Sequence, residues 1–230
     1  KYIQNSLDIE YANEDIRNTG VELDWQMKPS DRFFYHVGVT YSMSPLLIAA
    51  LGLFSKTYPK IKVNVSFGTS EELLDRLEAN QLDFVLSFKP EGVSEHMETM
   101  PLFSSMLRFI VHCSHPLAEL SSITLKRLSE TPLILPGKGF ATRKRIDDLC
   151  RKHQLELTVG VEMNDVHTII HTLREGYWGT ILTQAAVRGE ENLVQIPILC
   201  ADKLTSQGFL FWAQGDDRKK SALAFADVLR

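Results

Sequence analysis

The chain has 230 residues and a net charge of −4, with the composition of a globular protein large enough for one large domain or two small lobes. That charge gives this region no electrostatic case for binding DNA by itself. No apolar run approaches the length of a membrane span, and the polar, charged opening residues are not a secretory leader.

Cys113, Cys150 and Cys200 are dispersed and odd in number. They suit a reducing cytoplasm and form no metal motif. The first residue is Lys1 rather than Met, so a segment upstream is expected. Residues 1–18 read as a helix, with Ile3, Leu7 and Tyr11 on one face and Ile9, Ala12 and Ile16 on another. Two readings stand for it: a packing surface for another chain or domain, or a loosely held terminus. Residues 21–32 read as a linker.

Residues 33–88 organise the rest. Apolar runs at 33–39, 61–67 and 82–88 predict strands, and helical patterns fill 45–57 and 71–79. This is a β-α-β-α-β half-unit of an open, mostly parallel sheet, with strand order 2-1-3 expected and the second strand at the edge. Ser44 is the expected N-cap of the first helix, with Pro45 at its first position. The middle of that helix, Leu46 to Leu51, is apolar all round. Such a helix is covered on more than one side, by a second subunit or by the chain's own second lobe or C-terminal helix. Thr69 with Glu72 fits a capping box for the second helix.

The run PLFSSMLRFIVH within 100–112 is too long for one small lobe and is expected to cross between lobes. A second α/β unit follows: a strand at 133–135, a Pro136-Gly137-Lys138-Gly139 loop, a helix at 141–153 and a strand at 157–163. Asn164 or Asp165 then caps a helix ending at Gly176. Strands at 178–182 and 193–198, a return strand at 207–212 and a closing helix at 221–229 complete the pattern. The expected architecture is α/β: two Rossmann-like lobes joined by two crossing segments, with a ligand cleft between them. The expected division is 1–30 for helix and linker, 31–112 plus 207–230 for lobe I, and 113–206 for lobe II.

These stretches carry a resemblance. VGVT, PLLIAALGLFSKTYPKIKVNV, GTSEELLDRLEANQLDFVLSF, HPLAELSSITLKRLSETPLI, GKGFATRKRID and REGYWGTILT, in this order and spacing, resemble the effector-binding region of LysR-type transcriptional regulators. The resemblance covers about 33–230 and implies a fold like that of periplasmic binding proteins, with an effector in the cleft. It also implies a homodimer or homotetramer, and DNA binding through a winged helix-turn-helix preceding residues 1–18, which match the end of a linker helix. Effectors in the family are small metabolites, often acids. Where many members have a GLG pattern, this chain has Gly176-Tyr177-Trp178-Gly179, bulky residues that change the packing or fill part of the site.

The resemblance and strand-end positions together place Thr40, Tyr41, Ser42 and Met43 at the cleft after the first strand. Thr69 and Ser70 follow the second strand, and Phe88 and Lys89 the third. Ser42 and Ser44, near free N–H groups at a helix start, suit an anion, against a packing role for Tyr41 and Met43. Capping alone is the competing explanation for Thr69 and Ser70, and solvent exposure for Lys89. From the second lobe come Gly139 and Phe140, with Asn164, Asp165 and Thr183; capping is the default role for Asn164 and Asp165. Leu47, Leu51 and Phe54 are the expected dimer-interface residues. His167 and His171 lie one helical turn apart but lack a third ligand, so no metal and no cofactor are expected. Peroxide-sensing members of the family carry two reactive cysteines in one short segment. Here Cys150 and Cys200 are far apart, so ordinary thiols are expected.

No nucleophile elbow, phosphate loop or zinc-hydrolase motif is present. The expected function is effector sensing in a cytoplasmic regulator, not catalysis. The alternative is a solute-binding receptor of a transport system, for which no export signal is visible.

Overall fold

The computed structural model describes residues 34–88, 97–214, 223 and 225–228. The expected helix 1–18, the linker 21–32, Lys89 and most of the closing helix lie outside the described residues.

The first half-unit forms as its alternation dictates. Strand β1 (Phe34–Thr40) leads through a 3-10 turn, Tyr41–Met43, into helix α1 (Ser44–Thr57). Strand β2 (Lys62–Gly68), helix α2 (Ser70–Glu78) and strand β3 (Phe84–Phe88) follow. Both β2 and β3 pair with β1 in parallel, giving the 2-1-3 order with β2 at the end of the sheet path. On β1, Tyr35, Val37 and Val39 face the first core, where Leu47, Ala50 and Phe54 of α1 meet them. Gly38 faces the other way: a Cβ there would collide with Leu82, Val85 and Leu73 on the α2 side. Each such apolar side chain removed from water contributes about 1.5–3 kcal/mol.

Strand β4 (Met97–His112) is the long crossing segment. Its residues 97–106 pair antiparallel with the last strand, β11 (Thr205–Ala213), whereas from Leu107 it pairs with β8 (Gly179–Thr183) and β9 (Leu193–Ile196). One strand thus serves two lobes. The second lobe is assembled from β5 (Ile123–Thr124), α3 (Leu125–Ser129), β6 (Leu133–Pro136), α4 (Ala141–His153), β7 (Val159–Met163), α5 (Val166–Thr172), β8 (Gly179–Thr183), β9 (Leu193–Ile196) and β10 (Ile198–Leu199). Strand β6 pairs in parallel with both β7 and β8. Strand β11 (Thr205–Ala213) returns to lobe I between β3 and β4.

Lobe II has a core on each face of its sheet. Leu107, Phe109 and Ile181 meet Ile146 and Leu149 of α4 on one face. Ile110, Ile134 and Leu182 meet Val166, Ile169 and Ile170 of α5 on the other. Trp178 covers Gly160, where a Cβ would lie 2.5 Å from the indole. Tyr177 is exposed and meets Trp178 edge-on. The bulky pair is therefore taken up at the outer end of lobe II.

Two expectations are corrected. Ser44 does not cap α1: it is the first helical residue, and its Oγ donates to the Tyr41 carbonyl at 2.6 Å. Leu47 and Phe54 are not available to a second subunit, because both are buried in the lobe I core and Phe54 meets Phe225 of the C-terminal segment at 5.3 Å. Leu51 is half-buried against the same core. The outward stripe of α1 is instead Ile48 and Leu53, 61% and 51% exposed. Helical spacing alone left both stripes apolar, so only the position of the sheet decided which one turned inward.

Candidate functional site

The carboxyl ends of β1, β2, β6 and β8 converge where the lobes meet. Tyr41, the first residue after β1, stacks on Phe67 at 5.2 Å and leans on Phe140 of lobe II at 5.7 Å. Phe140 is the last residue before α4, and the loop carrying it touches lobe I. A Cβ on Gly139, whose φ of +100° suits glycine, would sit 3.5 Å from the Thr69 methyl. Tyr41, Phe67, Phe140 and Thr69 thus form a seal between the lobes.

Beside this seal lies a cleft of about 1280 Å³. Ser70, Glu71 and Phe88 line it from lobe I; Lys138, Gly139, Ala141, Lys144 and Arg145 line it from lobe II; Ser206 and Gln207 come from β11. The charged side of α4 and the 202–205 segment were not foreseen as lining. The signal was present in TRKRIDDLCRKH, whose polar stripe faces away from Ile146 and Leu149. A smaller hollow of about 750 Å³ lies elsewhere between the lobes, with Leu46, Phe103, Gln184 and Arg188 among its lining.

The other expected residues divide by role. Ser70 is buried and accepts a hydrogen bond from Ser87 Oγ at 2.8 Å. Thr69 makes the anticipated capping box with Glu72: its Oγ1 accepts from the Glu72 N–H, and its own N–H donates to Glu72 Oε2. That backbone hydrogen bond, with the Thr69 side chain, holds the Glu72 carboxyl below its ordinary pKa. Ser42 is buried in the turn before α1. Met43 is a correction: it is fully buried in the lobe I core, 2.8 Å from where a Cβ on Gly208 would lie, and does not line the cleft. Asn164 is exposed and crowds Gly137 rather than capping. Asp165 caps α5, accepting from the N–H groups of His167 and Thr168. Burial alone would raise its pKa, but these bonds and the Thr168 hydroxyl hold it low.

Two candidates have buried hydroxyls without a hydrogen-bond partner: Thr40 at the end of β1 and Thr183 at the end of β8. They occupy equivalent places, one per lobe. An unmet buried hydroxyl costs on the order of 1–3 kcal/mol, and Thr180 in the middle of β8 is a third such group.

The loop at 136–140 is held by Arg143. This buried guanidinium donates to the Pro136 carbonyl at 3.0 Å, to Asp147 at 2.8 Å and to Glu162 at 2.7 Å. Burial opposes its charge, but the hydrogen bonds to Glu162 and Asp147 win and raise its pKa. At the far end of α4, Asp202 accepts from His153 and Lys152, which hold its carboxyl low. Cys150 and Cys200 both pack against the α4-side core, a proximity to one cluster that their sequence separation hid, and Cys113 is exposed. The His167 and His171 rings stack at 6.4 Å. Among the described residues no group of three or more His, Cys, Asp or Glu is placed to hold a metal, and no helix is long and apolar enough to cross a membrane.

Two α/β lobes on a shared crossing strand, with polar strand ends around an interlobe cleft, define a module that binds small molecules. Comparison places it further. Residues 35–230 match the model of the LysR substrate binding domain, and the chain belongs to that family. An HTH-type transcriptional regulator of Bacillus subtilis, YybE, is 28% identical over 180 residues, covering 77% of this chain and 60% of that protein. The chain spans about half the length of the other curated relatives, which are also transcriptional regulators. The regulatory domain of CcmR from Synechocystis, solved with 2-PG, superposes with a TM-score of 0.73 at 21% identity, covering 85% of this chain and 95% of that one. The reduced OxyR regulatory domain from Pseudomonas aeruginosa superposes at 0.72 and 22% identity, covering 86% and 97%. At these identities the structures show the shared fold.

Proposed function

We propose that this chain senses a small-molecule effector in the interlobe cleft for a LysR-type transcriptional regulator. The observation that carries this reading is the interlobe cleft of about 1280 Å³ with polar lining from both lobes, to which Thr40 and Thr183 add buried, unpartnered hydroxyls at the ends of β1 and β8. Ser70, Phe88 and Gly139 line the cleft directly, and Tyr41, Thr69 and Phe140 form its seal. The relatives that bear regulator names and the CcmR domain solved with 2-PG support the regulator over the transport receptor.

In this reading lobe I is 31–112 plus 207–230 and lobe II is 113–206. The change of β4's partners between Met106 and Leu107 supports two lobes hinged on that strand. The regulator works in the cytoplasm as a homodimer or larger assembly and contacts DNA through a winged helix-turn-helix outside this chain. An effector shifts the lobe geometry only by its differential affinity for two arrangements, and the dimer transmits that shift. The test is a thermal-shift screen of small metabolites followed by X-ray scattering. A ligand at a hundred times its dissociation constant stabilises by about 2.7 kcal/mol. The expected hit raises the midpoint, changes the scattering profile and is weakened by Ser70→Ala. A hit unaffected by cleft variants, with an unchanged profile, sinks the reading.

A further inference from the structure

Helix α5 packs one side on the lobe II sheet, through Val166, Ile169 and Ile170, and turns its other side to solvent. His167 and His171 stand on the outward side, one helical turn apart, and both are exposed. Side chains at this spacing are neighbours, about 5–6 Å apart at their Cβ atoms. The two rings face each other, with centroids 6.4 Å apart and planes within 24°. Among the described residues neither ring has a hydrogen-bond partner, so no neighbour commits their nitrogens. The carboxylate closest in the chain, Asp165, is taken up by the helix start. It accepts from the N–H groups of His167 and Thr168 and from the Thr168 hydroxyl.

This donor set selects an ion. Imidazole suits zinc, copper and nickel, whereas calcium and magnesium take oxygen ligands. Zinc bonds an imidazole nitrogen at about 2.0–2.1 Å and is four-coordinate in a closed site. Among the described residues no third His, Cys, Asp or Glu joins the pair, so one chain supplies two ligands of the four. A second copy supplies the other two when the same stripe meets itself about a two-fold axis, because such a contact presents identical residues from both sides. The stripe permits that approach. Its outward residues are His167, Thr168 and His171, and the Arg174 and Glu175 that follow carry opposite charges. A polar face this small does not hold two chains by burial alone, so the attraction must come from the ion.

We propose that His167 and His171 form half of a site for a zinc-like divalent ion, completed by the same pair from a second copy of this chain. The site uses no residue that lines the cleft and none of the outward stripe of α1. It makes one contact between copies dependent on the ion, whatever the cleft holds.

The test is titration of the chelator-washed chain with zinc chloride, followed by calorimetry and sedimentation velocity. The expected result is one ion per two chains, with a higher sedimentation coefficient that a chelator reverses and magnesium chloride does not reproduce. The ring signals of His167 and His171 should move together in NMR spectra. His167→Gln and His171→Gln should each weaken zinc at least tenfold, since losing even an outer partner of a metal ligand costs about 10–100-fold. Both sites are exposed, so the metal-free melting midpoint should stay where it is in each variant. Cys113→Ser, which removes the exposed thiol, should change neither affinity nor stoichiometry. One ion per chain without a change in sedimentation would overturn the proposal. So would zinc-dependent association that survives in both glutamine variants, or the absence of saturable binding.

Discussion

The rings of Tyr41 and Phe140 lie 5.7 Å apart across the lobe boundary, one following the first strand and the other preceding α4. Neither could be paired with the other from spacing, since about a hundred residues separate them. Together with Phe67 they hold the strand ends of both lobes in register.

Phe140→Ala should therefore do two things. Truncating a buried phenylalanine costs about 3 kcal/mol or more, which urea unfolding will read as a lower midpoint at unchanged slope. The same variant should widen the scattering radius under native conditions, because the interlobe seal is lost while each core persists. An unchanged radius would show that β4 and β11 alone set the lobe geometry.

Arg143→Met should free the 136–140 loop. It removes donors to Pro136, Asp147 and Glu162 at once, and Arg143→Lys should not rescue it, because one ammonium cannot reproduce the planar fork. Hydrogen exchange at Gly137–Phe140 should rise in both variants; full protection in the lysine variant would contradict this.

Acid should weaken the same contact. The hydrogen bond from Arg143 lowers Glu162 from its ordinary value of 4.5. A carboxylate depressed in the folded state stabilises above its unfolded pKa, and that contribution is lost as pH falls through the folded value. Stability of the wild type should thus decline below about pH 4.5, and Glu162→Gln should show a shallower decline. The side chain is 43% exposed, so screening keeps the difference small.

Thr69→Ala should cost about 1 kcal/mol through loss of the α2 cap, measured by thermal unfolding. The Glu72 carboxyl should move only part of the way back toward its ordinary pKa, visible by NMR titration, because the Thr69 hydroxyl is lost while the backbone N–H at position 69, the larger cause of the lowering, is kept. A Thr69→Ser variant should keep both properties.

The outward stripe of α1 separates assembly from folding. Ile48→Glu or Leu53→Glu should leave the melting midpoint nearly unchanged and reduce the sedimentation coefficient if this face meets a second subunit. Phe54→Glu should unfold lobe I instead, since Phe54 is packed against Tyr35, Tyr58 and Phe225. Wild-type association in the Ile48 and Leu53 variants would assign assembly to another surface.

Local chemistry by itself determined much here. Short apolar runs set the strands, the helix at 141–153 emerged with its observed bounds, and Thr69–Glu72 announced its own cap, because each signal is carried by residues a few positions apart. The 16-residue β4 was legible as a crossing segment from its length alone. Order and spacing of short stretches were also enough to place the family. What only the tertiary structure decided were relationships between distant residues. Sequence placed Met43 at the cleft and packing put it in the core; sequence offered Leu47 and Phe54 to a partner and the sheet took them inward. The uncapped start of α4 and the buried, unpartnered Thr183 hydroxyl are brought into one lobe only once β8 lies parallel to β6. A helix terminus becomes a binding group only when nothing nearby satisfies it, and that is a property of the assembled fold rather than of any stretch of chain.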